Sequence, residues 1–339
     1  MPKLLKHILV IRLSAMGDVA MIVPVLQAFS EQYPNVKITV LTRSFFTPFF
    51  KNLPNVAVFS ADVNGKHKGV FGLYKLSKEL KAIGIDAVAD LHNVLRSKTL
   101  KFFLFGKQFI QIDKGRVEKK ALVSGESFHQ LKTTHQRYAD VFKKLGFVLD
   151  IKSPTFPKRL KLNNKTQVIV SNDTKKWIGI APFAAHEGKM YPLDLMEKVI
   201  ESLSKDYKVI LFGGGKHEMK VLNKLENTFK NTINVAGKLT LSEEMDVISN
   251  LDMMLSMDSG NAHIAAMLGI KVVTIWGVTH PFAGFAPFNQ PEDFAIVSNR
   301  NLFPEIPTSI YGNKYPESYR EVSRSIAPET IINKIVSIV

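Results

Sequence analysis

The chain has 339 residues, of which 45% are hydrophobic and 22% charged, as is typical of a folded globular protein with room for two domains. It contains no cysteine, which excludes disulfides, thiolate metal sites and a cysteine nucleophile. Most of its net charge of +15 lies in the first half: residues 1–150 carry 23 lysines and arginines against 11 acids, whereas residues 151–339 carry 22 against 19.

This charge asymmetry predicts two domains with different partners. A basic first domain suits an acidic partner, which can be nucleic acid, anionic lipid or a phosphorylated substrate, unless the charge only aids solubility. No nucleic-acid-binding motif is visible, so we expect no nucleic-acid partner. No apolar run is as long as a membrane span and no signal-peptide cleavage pattern follows the first residues, so we expect a soluble, cytoplasmic protein.

Short runs of Val, Ile and Leu alternate with helix-length segments along the chain. Such runs indicate strands that are buried on both faces of a parallel sheet, with helices as right-handed crossovers. The pattern occurs twice, which predicts an α/β protein with two doubly wound sheets. The runs, in chain order, are HILVIRL, VKITVLT, NVAVFS, DAVADL, WIGIAPF, YKVILFG, NTINVAG, LDMMLSM and KVVTIWG.

The domain boundaries follow from this repetition. We predict a first domain over residues 1–152 and a linker over 153–176, which is rich in Pro, Asn and Lys and has a short strand near QVIV. The second domain is predicted over 177–339 and ends in a helix at about 328–338. Ligands bind at the carboxyl ends of parallel strands, so two such domains facing each other would share a central cleft.

The stretch SAMGDVAMIVP follows the first predicted strand and places Asp18 in the first turn of a helix. An acid there is stabilised by the helix dipole, and Ser14 or Asp18 can cap the helix, so capping alone would explain it. The turn also lies where a parallel sheet binds ligands, and a carboxylate there can act as a general base toward a hydroxyl. Gly17 stands alone, without the G-x-G-x-x-G pattern, which disfavours a dehydrogenase.

Three further turns follow predicted strands of the second domain. In APFAAHEGKMYP, Lys189 lies before a helix that begins near Pro192, and a lysine there is either an exposed loop residue or a phosphate ligand. In VILFGGGKHEMKVL, the three glycines allow close approach of a ligand to the backbone, and Glu218 either accepts hydrogen bonds from ribose hydroxyls or complements the helix dipole. These glycines are Gly213, Gly214 and Gly215.

The last of these turns is in LDMMLSMDSGNAHIAAMLG. Asp258, Ser259 and Gly260 precede a helix that contains His263, an arrangement that fits either an ordinary helix cap or an anion-binding helix start. A single turn of this kind would not distinguish a helix cap from a binding site. Three polar turns at one edge of the same sheet favour a nucleotide pocket.

Together, these segments resemble glycosyltransferase family 9, the ADP-heptose:lipopolysaccharide heptosyltransferases, over nearly the full length. The most specific parts are ILVIRLSAMGDVAMIVPVLQAF and MDSGNAHIAAMLGIKVVTIWG, and DLHNVLRS from Asp90 also matches. The resemblance implies a GT-B architecture of two Rossmann-like domains facing a central cleft. It implies that the first domain provides most of the acceptor site and that the second binds the nucleotide-sugar. No metal or other cofactor is required if Lys189 and the helix starts of the second domain supply the positive potential at the diphosphate.

The same resemblance implies roles for individual residues. Asp18 matches the catalytic base, Lys189 the lysine on the donor diphosphate, and Glu218 lies near the ribose-binding acid. The D-[ST]-G-x-x-H donor motif is matched by Asp258, Ser259, Gly260 and His263. The chain departs from the family pattern where hydroxyl residues usually precede the lysine and where Trp is usual; these positions are Ala184, Ala185 and Tyr191.

The implied reaction is an inverting transfer of heptose from ADP-heptose to a lipopolysaccharide core acceptor. Another nucleotide-sugar, or a non-catalytic homologue that binds nucleotide-sugar, stays open as an alternative. Lys132, His135 and Arg137 are candidates for contact with acidic core sugars. The basic stretches NVLRSKTLKFFLF and KGRVEKK predict peripheral contact with an anionic membrane, or else form a partly buried helix and a solvated lysine cluster.

Overall fold

The structure, a computed structural model, describes residues 5–170 and 174–339. The chain forms two compact units. The first comprises residues up to Lys114 together with Thr134–Thr155, and the second comprises Gly115–Thr133 together with Phe156–Val339. Within the two described ranges, no helix combines the length and apolarity needed to cross a bilayer.

The first unit contains five parallel strands, which are β1 (His7–Ile11), β2 (Lys37–Thr42), β3 (Val56–Ser60), β4 (Ala87–Asp90) and β5 (Gln108–Gln111). Their order in the sheet is β3-β2-β1-β4-β5, so the strand order reverses between β1 and β4. Ile8 of β1 lies opposite Ile38 of β2 and Ala87 of β4. All five residues of β1 are buried, as its uninterrupted apolar run predicts.

Helices cover this sheet. They are α1 (Met16–Ala20), α2 (Ile22–Gln32), α3 (Gly69–Ala82), α4 (Leu95–Phe103) and α6 (Thr134–Lys144), and a 3₁₀ helix spans Ser44–Phe50. The core of the unit joins the leucines of α3 to β1, since Leu73, Leu76 and Leu80 pack in one cluster with Leu9 and Ile11. The spacing of the three leucines places them on one side of α3.

The second unit contains six parallel strands, which are β6 (Trp177–Ala181), β7 (Lys208–Leu211), β8 (Thr232–Asn234), β9 (Met253–Met257), β10 (Lys271–Trp276) and β11 (Ala295–Val297). Their order is β11-β10-β9-β6-β7-β8, so the strand order reverses between β6 and β9. Each of the nine apolar runs contains a strand. Strands β5 and β11 were not predicted, because both are short, partly exposed edge strands without such a run.

The helices of the second unit beyond the linker are α8 (Leu193–Asp206), α9 (Lys216–Thr228), α10 (Leu241–Ile248), α11 (Gly260–Met267) and α12 (Pro328–Ile338). Short 3₁₀ helices span Glu187–Lys189, Pro281–Ala283, Glu292–Phe294, Glu317–Tyr319 and Val322–Ser325. Helix α12 confirms the predicted terminal helix. Its buried Ile331 and Ile335 join Met196 and Ile200 of α8 in the core of the unit.

Helix α5 (Arg116–Val123) and the segment after it belong to the second unit, although they fall within the predicted first domain of residues 1–152. Leu122 and Leu131 pack against Ala283, and the Leu131 amide donates a hydrogen bond of 2.9 Å to the carbonyl of Phe282. These long-range contacts have no periodic signature in the sequence. They explain why Gly115–Thr133 associates with the later part of the chain.

Helix α7 (Asn164–Val170) corrects the strand expected near QVIV in the predicted linker. Asn163 caps this helix by accepting a hydrogen bond of 2.8 Å from the amide of Thr166, and the Nζ of Lys208 donates one of 2.7 Å to the carbonyl of Val170. Caps at both ends outweigh the β propensity of the Val-Ile-Val run. Residues 171–173 of the predicted linker lie outside the described residues.

Candidate active site

Lys189 and Asp258 meet at the point where the strand order of the second unit reverses. Lys189 ends the 3₁₀ helix that follows β6, and Asp258 comes directly after β9. The two strands are neighbours, and the Lys189 Nζ lies 2.7 Å from the Asp258 Oδ2. Reversal points at the carboxyl ends of open parallel sheets are the usual ligand sites of this architecture.

The pair is shielded from water, since the side chains are 16% and 5% exposed, respectively. The hydroxyl of Thr279 donates a hydrogen bond of 3.0 Å to the same Asp258 oxygen. The carboxylate is thus compensated by a cation and a hydroxyl, as a buried charge requires. Sequence reasoning missed Thr279, because a threonine after β10 has no distinctive motif around it.

The loop that carries Lys189 is held by glycines. Val278 donates a backbone hydrogen bond of 2.8 Å to the carbonyl of Gly188. A Cβ on Gly188 would lie 2.7 Å from the carbonyl oxygen of Gly312, and one on Gly312, where φ is +75°, would lie 2.5 Å from the Cγ of Lys189. Close backbone contact therefore fixes the aliphatic stem of the lysine.

The residues that depart from the family pattern flank this loop. Ala184 is half-buried and Ala185 is exposed, whereas Tyr191 is buried and donates a hydrogen bond of 2.8 Å from its hydroxyl to the carbonyl of Ile326. Tyr191 therefore serves packing at the start of α8. The two alanines offer only their backbone groups to a ligand.

The glycine turn follows β7 and leads into α9. Gly215 has a φ of +83° and precedes the first residue of the helix. The Glu218 Oε2 accepts a hydrogen bond of 2.7 Å from the amide of Gly214, so this carboxylate ties the turn to the helix. The ribose contact expected of Glu218 remains a prediction beside this local role.

Helix α11 contains His263, as predicted; it begins at Gly260, with Ser259 at its N-cap. The Ser259 hydroxyl lies 3.0 Å from the hydroxyl of Ser256 rather than on the helix amides. His263 is 7% exposed. The three predicted donor turns, at Lys189, Gly213–Gly215 and Asp258–Gly260, thus follow β6, β7 and β9, which are adjacent in the sheet.

In the first unit, Asp18 lies in α1, after β1. Its Oδ2 accepts a hydrogen bond of 3.2 Å from the amide of Ala15 and forms an ion pair with the guanidinium of Arg12. The Asp18 side chain is 27% exposed, so it is accessible while its orientation is held. Helix capping and a partly exposed carboxylate therefore coexist at this position.

Arg12 links the two strands at which the order of the first sheet reverses. It is 7% exposed and donates from Nε to the carbonyl of Ser14 at 2.7 Å and from an Nη atom to the carbonyl of Leu91, just after β4, at 2.6 Å. The sequence analysis did not single out Arg12 as a residue of this site. The available signal was a charge inside the otherwise apolar run HILVIRL.

Two more residues around the turn after β1 were missed. Tyr138 of α6 donates a hydrogen bond of 3.1 Å from its hydroxyl to the carbonyl of Asp18, and burial raises the pKa of this tyrosine, so the hydroxyl stays a donor. Burial and the nearby Arg12 charge lower the pKa of His92 to about 4. The neutral His92 ring lies 3.4 Å from the Ser14 hydroxyl.

The acceptor candidates are spread over both units. His135 and Arg137 are buried in α6 of the first unit, 3% and 4% exposed, whereas Lys132 is exposed and belongs to the second unit. The role predicted for these three residues remains a prediction. Among the residues that the structure describes, no group of three or more His, Asp and Glu side chains is arranged to hold a metal.

The two Rossmann-like parallel-sheet units have the GT-B glycosyltransferase fold, as predicted. A glycosyl transferase of family 9 from Veillonella parvula has this fold, with a TM-score of 0.75 at 21% identity, and the match covers 98% of this chain and 97% of that one. The Escherichia coli heptosyltransferase WaaC, solved with ADP, matches with a TM-score of 0.69 at 18% identity over 98% and 100% of the chains.

The sequence comparisons name the family. A family model described as glycosyltransferase family 9 (heptosyltransferase) matches residues 73–305, and the chain belongs to this family. It is 25% identical to the lipopolysaccharide core heptosyltransferase OpsX of Haemophilus influenzae, over 88% of this chain and 87% of that protein. It is 24% identical to lipooligosaccharide heptosyltransferase 2 of Campylobacter jejuni, over 94% and 95%.

Proposed function

We propose that this glycosyltransferase moves a heptose from ADP-heptose to a hydroxyl of a lipopolysaccharide core acceptor, with inversion at the anomeric carbon. The shielded Lys189–Asp258 pair at the reversal of the second sheet is the observation that carries the proposal. Relatives named as core heptosyltransferases, and WaaC solved with ADP, support the choice of donor and acceptor.

In this proposal the second unit binds the donor. Lys189 contacts the diphosphate, and the amides at the starts of α9 and α11 add positive potential where negative charge develops on the leaving group. Glu218 accepts from the ribose. These groups supply the stabilisation that a metal ion provides in other transferases, so the proposed reaction uses no metal cofactor.

The first unit provides the base. The acceptor hydroxyl attacks the anomeric carbon as the bond to the diphosphate breaks, its proton passes to the Asp18 carboxylate, and ADP leaves with the bonding electron pair. Arg12 and the Ala15 amide hold that carboxylate through the contacts described above. The proposal includes a cytoplasmic site of action at the membrane that carries the acceptor.

Nucleotide selectivity tests the donor half of the proposal. Thermal unfolding is measured with ADP, UDP, GDP or CMP, for wild type and for Lys189→Ala. A nucleotide at a hundred times its dissociation constant adds about 2.7 kcal/mol to the free energy of unfolding, so an ADP-selective shift that shrinks in the variant is expected. A UDP-selective shift would replace the donor, and no shift with any nucleotide would contradict the donor site.

Turnover tests the base. With ADP-heptose and a Kdo–lipid A acceptor, Asp18→Asn is expected to lower the rate of transfer by at least about a hundredfold, because a positioned general base contributes that much. Affinity for ADP should stay at the wild-type value. Equal losses of transfer and ADP affinity would overturn the assignment of Asp18, and donor binding without transfer in the wild type would indicate a non-catalytic homologue.

A further inference from the structure

We propose that the outward side of α3 and α4 in the first unit is a docking surface for an anionic lipid bilayer. The surface, called the α3–α4 face below, combines exposed aromatic and aliphatic side chains with exposed lysines. Its members are Val70, Phe71, Tyr74, Lys75, Lys78, Leu95, Lys98, Lys101, Phe102 and Phe105. The inference concerns which surface of the protein contacts the bilayer, and it does not depend on the proposed reaction.

The α3–α4 face exposes large apolar side chains to an unusual degree. Phe71 and Phe105 are each 90% exposed, and Leu95 and Phe102 are 82% and 78% exposed. Single exposed apolar residues are ordinary on protein surfaces, but several together mark an interaction site. Three of the four are phenylalanines, which lack the polar end that makes an exposed tyrosine tolerable in water.

Aromatic side chains of α3 and α4 are in contact with one another. The rings of Tyr74 in α3 and Phe103 in α4 meet edge to face at a centroid distance of 5.5 Å, and Phe102 lies against Phe103 at 5.6 Å. Phe71 lies one helical turn before Tyr74, so the two share a side of α3. Phe105 comes two residues after the end of α4.

The opposite sides of both helices are occupied by the core. Leu73, Leu76 and Leu80 of α3 and Leu100 of α4 are at most 5% exposed and pack with the strands. Core packing therefore uses a different set of apolar residues from the α3–α4 face. The exposed phenylalanines are a second apolar set that the fold itself does not need.

The charge around the α3–α4 face favours an anionic partner. Residues 66–107 contain nine lysines and arginines against three acids. One of those acids, Glu79, pairs with Lys66 at 2.7 Å. The Nζ of Lys78 lies 4.6 Å from the centroid of the Tyr74 ring, so charge and aromatic surface are interleaved. Aromatic side chains that enter the headgroup region, with lysines around them, are the pattern of interfacial membrane binding.

A second copy of this chain is the main competing occupant. A symmetric dimer through the α3–α4 face would bring the same lysines of both copies together, and like charges at an interface oppose association. A bilayer that contains anionic lipid instead attracts each lysine. The charge pattern therefore favours the bilayer.

Vesicle co-sedimentation tests the surface, with phosphatidylethanolamine–phosphatidylglycerol vesicles compared with phosphatidylcholine vesicles and with no sugar donor or acceptor present. Wild type is expected to bind the anionic vesicles and to dissociate as NaCl is raised. Lys75→Gln/Lys98→Gln should weaken binding about twenty-fivefold, since each lysine contributes about fivefold. The matched control, Lys198→Gln/Lys220→Gln, removes two exposed lysines of the second unit and should bind as wild type.

The apolar part has its own variants. Phe71→Ser/Phe102→Ser is expected to reduce vesicle binding at least about tenfold while the melting temperature stays unchanged, because both side chains are exposed. Val168→Ser/Leu302→Ser, which removes exposed apolar residues of the second unit, is the control. Equal binding by wild type and the phenylalanine variant would overturn the proposal.

A reporter distinguishes insertion from simple charge attraction. Phe71→Trp adds an indole to a chain whose own tryptophans, Trp177 and Trp276, both lie in the second unit. Vesicles with brominated acyl chains should quench this added emission but not that of Leu302→Trp. An unquenched reporter would contradict membrane docking, as would a wild-type dimer that the phenylalanine variant converts to monomer.

Discussion

Lys189 has two possible duties, because it neutralises Asp258 and is also proposed to hold the donor diphosphate. Removing it leaves a carboxylate that is 5% exposed without its cation, which destabilises the protein whether or not a ligand binds. Loss of ADP affinity in one lysine variant therefore does not separate the two duties. A variant that removes both charges does, since neither partner is then left unpaired.

We expect Lys189→Met to lower the free energy of unfolding by about 3 kcal/mol, and Lys189→Met/Asp258→Asn to recover most of that loss. The asparagine oxygen can still accept the hydrogen bond from Thr279. ADP affinity should stay at least about tenfold below wild type in both variants, because the cation is absent. Denaturant unfolding and calorimetric titration with ADP provide the two readouts.

The double variant decides between the duties. If it binds ADP as tightly as wild type, Lys189 serves only the ion pair and the proposed diphosphate contact is wrong. The Asp258→Asn variant alone is the control, since it keeps the lysine and the acceptor for Thr279.

Asp18, in the first unit, is held in position by neighbouring groups and is still accessible. Three groups fix its position: the Arg12 guanidinium and the Ala15 amide from the segment just before it, and, from α6, the Tyr138 hydroxyl, which holds the Asp18 carbonyl. Its side chain nevertheless keeps 27% of its surface exposed. A general base needs both conditions, because the carboxylate must be oriented and must also reach the substrate.

In the glycine turn between β7 and α9, neighbouring glycines differ in the space that is available for a side chain. A Cβ on Gly213 would lie 2.9 Å from the Leu222 Cδ1 and 3.1 Å from the Glu218 Oε2, so packing within the unit requires this glycine. A Cβ on Gly214 would have no protein atom within 4 Å. Packing therefore does not account for Gly214, whereas close approach of a ligand would.

We expect Gly213→Ala to lower stability by about 1 kcal/mol through overpacking, and Gly214→Ala to leave stability unchanged. If the nucleotide lies against this turn, Gly214→Ala should weaken ADP binding about tenfold, which corresponds to about 1.4 kcal/mol. Melting temperatures and ADP titrations of the matched pair check both statements. Wild-type ADP affinity in Gly214→Ala would remove the turn from the donor site.

At the scale of the whole molecule, the charge asymmetry persists in the observed units. The first unit carries 20 lysines and arginines against 9 acids, and the second carries 25 against 21. Moving Gly115–Thr133 to the second unit changes this balance little. The basic character therefore belongs to the unit that contains Asp18 and the α3–α4 face.

Acid should destabilise the protein through His92. In the unfolded chain histidine takes up a proton near pH 6.5, whereas the pKa of the folded His92 is lowered to about 4 by burial and by Arg12. Between these values the unfolded state binds more protons, so stability falls as pH falls. The contribution is on the order of 3 kcal/mol over that window.

Denaturant unfolding at several pH values between 6.5 and 4 checks this. His92→Asn should lose less stability across the window than wild type, because its side chain does not titrate. The exposed His129 provides the control variant, His129→Asn, which should retain the wild-type pH dependence. Parallel curves for wild type and His92→Asn would show that His92 does not couple folding to pH.

The sequence by itself determined the two parallel-sheet domains, the family and the turns at which the proposed site residues lie. It did so because strands buried on both faces carry uninterrupted apolar runs, and because a turn that follows a strand starts at the strand's carboxyl end by covalent connection alone. The nine predicted strands, α12, and the turns at Asp18, Lys189 and Asp258 are all of this local kind. The family resemblance rested on the same short motifs.

Only the tertiary structure decided which groups meet. The contact of Arg12 with the carbonyl of Leu91 and the pairing of Lys189 with Asp258 both depend on strand order, which brings β1 beside β4 and β6 beside β9. The association of Gly115–Thr133 with the second unit likewise depends on packing against residues far along the chain. Local spacing carries no information on such contacts, because their energy comes from burial and charge compensation between distant segments.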